Sequence, residues 1–87
     1  MVRITIWDTN AERIAEIDRN LHLAMQELGI KGATRSISEP PLLARESLLD
    51  RVPVLEIAGR HWSLTPNTTI TQKLCRELLR MLLQPPR

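Results

Sequence analysis

The stretch Val52-Pro53-Val54-Leu55-Glu56-Ile57-Ala58-Gly59-Arg60-His61-Trp62 constrains the fold more than any other part of the chain. Val54, Leu55 and Ile57 carry the β-branched and apolar side chains of a strand lying on a core. Ala58-Gly59-Arg60 reads as the turn, because Gly59 can take the positive φ that a tight hairpin needs. His61, Trp62 and Leu64 then form the return strand. Pro53 has no N–H to give to a ladder, so it belongs at the strand entrance or at a sheet edge.

What lies upstream supplies the partners of this hairpin. Residues 1–7 alternate, with Val2, Ile4 and Ile6 on one face and Arg3, Thr5 and Trp7 on the other, which is the period of a strand. Asp8-Thr9-Asn10 stops it, and Thr9 with Glu12 fits a capping box. Ile14, Ile17, Leu21, Ala24 and Leu28 recur at spacings of three and four and predict one long helix, which Gly29 ends. Residues 30–37 read as a weaker strand; Gly32, Ala33 and Ser36 give it little to pack, so it is expected at a sheet edge. Ser38-Glu39-Pro40-Pro41 caps and opens a short helix, expected to be buried through Leu42, Leu43, Leu48 and Leu49.

Downstream, Thr65-Pro66-Asn67-Thr68-Thr69 is a polar loop, and Thr69 with Gln72 makes a second capping-box candidate. Ile70, Leu74, Leu78 and Leu82 line one face of a last long helix that Pro85-Pro86 ends, leaving Arg87 frayed. The order is therefore β-α-β-α-β-β-α. A right-handed crossover makes the first two strands parallel, and the hairpin adds two antiparallel strands. The expectation is an α/β fold: a central mixed four-stranded sheet with helices on both faces. A ferredoxin-like βαββαβ arrangement would need a strand after the last helix, and the sequence offers none.

Length and composition fit one domain over residues 1–87. Hydrophobic residues make up 43% of the chain with no Phe and no Tyr, so the core must be built from Leu, Ile, Val and Ala. Trp7 and Trp62 are the two aromatic residues. Residues 1–50 carry six basic and eight acidic groups, net −2, and residues 51–87 carry six and two, net +4. The mildly basic second half is too weak for a nucleic-acid function by itself. No apolar run is long enough to span a membrane, and the N-terminus lacks the layout of a signal peptide, so a cytoplasmic setting is expected. The single cysteine, Cys75, forms no internal disulfide and gives a metal no thiol partner, so neither metal nor cofactor is expected.

Three stretches together resemble the minimal thioredoxin fold and, within it, the small redox-active disulfide proteins of glutaredoxin size. They are Ile4-Thr5-Ile6-Trp7-Asp8-Thr9-Asn10, the helix end Leu23-Ala24-Met25-Gln26-Glu27-Leu28-Gly29-Ile30, and Val52-Pro53-Val54-Leu55-Glu56-Ile57-Ala58-Gly59. The likeness covers nearly the whole chain. It implies that Pro53 matches the family's cis proline and that the active-site loop lies at Asp8, Thr9 and Asn10. It also implies a Cys-x-x-Cys opening the long helix, where this chain has Ala11, Glu12, Arg13 and Ile14. Disulfide exchange needs a thiolate, so the scaffold carries over and the activity does not.

The candidate site for a peptide or anion is thus Asp8, Thr9, Asn10, Arg51, Val52 and Pro53, with the free amides of a helix start nearby. Helix capping alone is the plainer reason for the first three. No catalytic residue is assigned. His61 and His22 lack a nearby carboxylate pattern, Cys75 sits in mid-helix, and Lys73, Arg76 and Arg80 make a basic stripe that Glu77 interrupts and can pair with Lys73. Trp7 and Trp62 fit binding anchors or sheet cover equally. The expected function is a redox-inactive thioredoxin-like module that binds or assembles with a protein or peptide, or with a second copy of itself. The alternative is a thiol-redox accessory working through Cys75 or an external thiol such as glutathione.

Overall fold

Alternation along β1 (Val2–Trp7) sorts the molecule into two faces. The computed structural model describes residues 1–83. After β1 come α1 (Ala11–Leu28), β2 (Gly32–Ile37), α2 (Pro40–Arg45), β3 (Val54–Ile57), β4 (Arg60–Ser63) and α3 (Gln72–Leu83). The strands form one sheet in the order β2-β1-β3-β4. β1 runs parallel to β2 and antiparallel to β3, and β3 runs antiparallel to β4. This is an α/β fold with a mixed four-stranded sheet and three helices. No strand follows α3 among the described residues, and the Pro85-Pro86 stop and Arg87 lie outside them.

On the first face, Ile4 and Ile6 of β1 and Leu55 and Ile57 of β3 pack with Ile17, Leu21, Ala24 and Met25 of α1. Ile70 and the α3 residues Cys75 and Leu79 complete that cluster. On the second face, Trp7 and Val54 pack with Leu43 of α2, Leu48 and Val52. α2 has only six residues and covers one end of this face. The other end stays open as a depression of about 740 Å³ that includes Arg3, Thr5, Arg35 and Glu56.

β2 takes the sheet edge and begins at Gly32, two residues later than the sequence predicts. A Cβ on Gly32 would lie 2.5 Å from Val2 Cγ1 and 2.6 Å from Met25 Sδ, so glycine lets the strand approach β1 beneath α1. Gly29 ends α1 at φ 67°, and its amide and that of Ile30 return to Gln26 and Met25 carbonyls.

Five local expectations need correction. The hairpin turn is Ala58-Gly59 alone, with φ 54° and 76°, and Arg60 already pairs with Ile57 in the ladder; positive φ at both residues is the pattern that matches strand twist in a two-residue loop. Leu64 accordingly falls beyond β4 and is exposed. The α1 cap is Asn10, whose side chain accepts from the Arg13 amide, and not Thr9. At α3 the Thr71 hydroxyl accepts from the Leu74 amide at 3.2 Å, while the Thr69 hydroxyl is buried without a partner. Of the four leucines expected to bury α2, Leu43 and Leu48 are buried and Leu42 and Leu49 are exposed, because one short helix over one end of a sheet hides only one side.

α3 is also rotated from its predicted stripe. Cys75 and Leu79 face the core, and Leu74 is displaced to the side. The helix packs on the sheet and on α1 at once, so its buried arc lies between the two. At the rim of that contact Glu27 accepts from Arg76 Nη1 at 2.8 Å and from Gln72 Nε2. The Arg76 bond, then the Gln72 bond, hold the Glu27 carboxyl below its ordinary value.

Candidate functional site

The register of β1 on β3 builds the candidate site. Trp7 pairs with Val54, so the loop leaving β1 and the segment entering β3 lie at one end of the sheet. The first carries Asp8, Thr9 and Asn10; the second carries Arg51, Val52 and Pro53, and its Val52–Pro53 peptide bond is cis.

Asp8 is fully buried, and its carboxylate is committed. Oδ1 accepts from the Thr9 amide at 2.7 Å, the Asn10 amide at 3.2 Å and Arg13 Nη2 at 2.6 Å, and Oδ2 accepts from Arg13 Nε at 2.5 Å. The Arg13 side chain is 14% exposed, and the bond to Asp8 raises its affinity for its proton, against desolvation, with direct charge attraction adding. A carboxylate folded back on two amides moves the helix start onward by one residue, which is why Asn10 and not Thr9 caps α1. Thr9 and Asn10 are exposed. Because Asp8 and Arg13 neutralise each other, the helix start presents little net charge to an anion.

The second segment is partly spent as well. Val52 packs its side chain in the smaller cluster, and its carbonyl accepts from the Asn67 amide at 2.8 Å. Pro53 is buried. Arg51 is exposed, with Nη2 and Nε donating to Ser63 Oγ at 3.1 and 3.3 Å. Among the described residues no acceptor meets the Ala11, Glu12 or Val52 amides; Ala11 and Glu12 are exposed, and Val52 is buried. The structure thus brings all six predicted residues to one end of the sheet but removes Asp8 as a free ligand. It adds Arg13 and Asn67, which sequence reasoning missed. An Asp followed five residues later by an Arg across a helix start was the one available signal for Arg13; Asn67 had none.

The other candidates resolve into structural roles. Trp7 Nε1 donates to Glu56 Oε1 at 2.9 Å, and His61 Nε2 lies 3.4 Å from the same oxygen. The Trp7 and His61 rings meet edge to face at 5.9 Å. His22 Nε2 lies 3.1 Å from Thr34 Oγ1, but that hydroxyl donates to Asp18, so it is not poised as a nucleophile for His22. Among the described residues no group of three His, Cys, Asp or Glu is placed to hold a metal, and no helix is long and apolar enough to cross a membrane. Arg76 is tied to Glu27, which breaks the basic stripe, and no Lys73–Glu77 ion pair forms among the described residues. Cys75 is fully buried, and burial pushes its thiol up to about 12. No thiolate is presented to a partner there. No protein-family model, curated protein or solved structure matches this chain.

Proposed function

We propose that this chain is a thioredoxin-like domain without the dithiol, acting as a binding module for an extended peptide segment of another protein. The observation that carries this reading is the pairing of Trp7 with Val54, which sets the opening of α1 beside the Val52-Pro53 entrance to β3. The element order and strand directions support the likeness that the sequence implies. Ala11 and Ile14 stand where the resemblance expects sulfur, and neither has a nucleophile. The amides of Ala11, Glu12 and Val52 are a donor set, and Arg51 adds a cation. Such a set suits peptide carbonyls or a C-terminal carboxylate, by the main-chain pairing that lets a strand end capture an extended chain.

The test is an amide-shift titration of the labelled protein with a pool of random hexapeptides carrying free C-termini. Shifts concentrated at Ala11, Glu12 and Val52, weakened about tenfold by Arg51→Glu, are expected. Arg51 is chosen because it is exposed, whereas Val52→Arg would force a charge into the smaller cluster. Shifts confined to another surface, or none, would reject the site. Insulin reduction with added dithiol should stay at the rate of the dithiol alone.

A further inference from the structure

We propose that the open end of the second sheet face is a binding site for a small phosphate monoester, whose phosphoryl group bridges Arg3 and Arg35. The depression there holds about 740 Å³, enough for a phosphoryl group together with its organic part. Strand register builds it. Thr5 of β1 pairs with Arg35 of β2, and Arg3 pairs with Ala33. Arg3 and Arg35 are therefore diagonal neighbours on the face that Thr5 shares, a spacing that long side chains can span. Ala33, opposite Arg3, adds only a methyl group.

Arg35 is held in place. Its Nε donates to the Thr5 hydroxyl at 3.0 Å, and Thr5 is 5% exposed. That bond to a buried oxygen takes one edge of the guanidinium plane, and among the described residues Nη1 and Nη2 donate to no other residue. Arg3 also lines the depression and, like Arg35, forms no ion pair among the described residues. Elsewhere Arg13 and Arg76 are matched by Asp8 and Glu27. Glu56 is the one acid of the lining. Its Oε1 is engaged by Trp7 at 2.9 Å, with His61 Nε2 3.4 Å away, and by neither arginine.

Two guanidinium groups without acids select the charge of the ligand. A phosphate monoester carries about two negative charges near neutral pH and three acceptor oxygens, so it can accept from both arginines at once. A carboxylate brings one charge and two oxygens. A nucleic-acid backbone brings one charge per phosphate, and the Glu56 carboxylate in the same depression repels a long polyanion. The site lies where β1 begins, whereas the peptide site lies where β1 ends, so the two stand or fall separately.

Amide-shift titration of the labelled full chain with glycerol 3-phosphate tests this, with inorganic phosphate, acetate and a single-stranded oligonucleotide compared at matched ionic strength. Glycerol 3-phosphate should move the amides of Arg3, Thr5, Ala33 and Arg35 with a Kd of about 1 mM. Inorganic phosphate, which leaves most of the depression empty, should bind about threefold more weakly, and acetate about tenfold. Arg3→Ala and Arg35→Ala, at exposed positions, should each weaken the ester about tenfold with an unchanged unfolding midpoint. Arg35→Lys keeps the charge without the fork and should recover only part of that loss. No shift at these amides by about 20 mM ester, or equal binding of acetate or inorganic phosphate, overturns the proposal. So does an unchanged affinity in either alanine variant, or tighter binding of the oligonucleotide per phosphate. An alanine variant that loses its folded spectrum is replaced by the glutamine variant at the same position, judged by the same affinities.

Discussion

The two faces of the sheet are held in different ways. The face under α1 and α3 is a broad apolar cluster, from Ile4 and Ile6 through Leu21 to Cys75 and Leu79. The face under α2 has a small apolar cluster, and polar ties border it: Asp8 with Arg13, Arg51 with Ser63, and Trp7 with Glu56. Burial is non-directional and tolerates repacking, whereas a buried ion pair and its hydrogen bonds depend on each partner. Stability therefore sits mainly on one face, and the candidate site sits on the face whose groups are positioned by directional bonds.

Truncation in each cluster tests this division most strongly. Leu21→Ala should cost about 4 kcal/mol and Leu48→Ala about 2 kcal/mol, because the loop around Leu48 can close on the space while α1 cannot. Equal losses in urea titrations would break the comparison. Asp8→Ala should cost about 3 kcal/mol, since it strands a mostly buried guanidinium and two amides. A loss below about 1 kcal/mol would mean that the ion pair does not hold the smaller face.

Alkali probes the larger face alone. Cys75 ionises near 9.0 when unfolded and near 12 when folded, so above about pH 9 the unfolded chain binds fewer protons and stability falls. The slope should approach about 1.4 kcal/mol per pH unit, and Cys75→Ala should abolish it. The native thiol should also resist a disulfide reagent until the chain unfolds. A native thiol that reacts at the rate of a free peptide would show that the larger cluster opens readily. Smallest is Ala58→Asn, which belongs to neither face. Asparagine tolerates the left-handed φ that alanine adopts there, and a gain of about 1 kcal/mol is expected from thermal unfolding. That gain should be the same in wild type and in Asp8→Ala.

The sequence by itself determined the order of elements, the faces of β1, the length of α1 with its Gly29 stop, the edge placement of β2 and the hairpin. Each of these rests on periodicity or on a residue's own backbone preference, which neighbours a few positions away reveal. It also located the residues of the candidate site at the ends of β1 and before β3. Only the tertiary structure decided how those residues are engaged. Asn10 displaced Thr9 as the cap because Asp8 turned to Arg13, and the Val52 carbonyl was taken by Asn67 from a distant loop. α3 turned from the Leu74 stripe to Cys75 and Leu79 because it packs on the sheet and on α1 together, with Glu27 of α1 bonding Gln72 and Arg76 at the rim. In the first case the choice was made by an Asp–Arg pair five residues apart across the helix start, and in the other two by a partner far away in the chain.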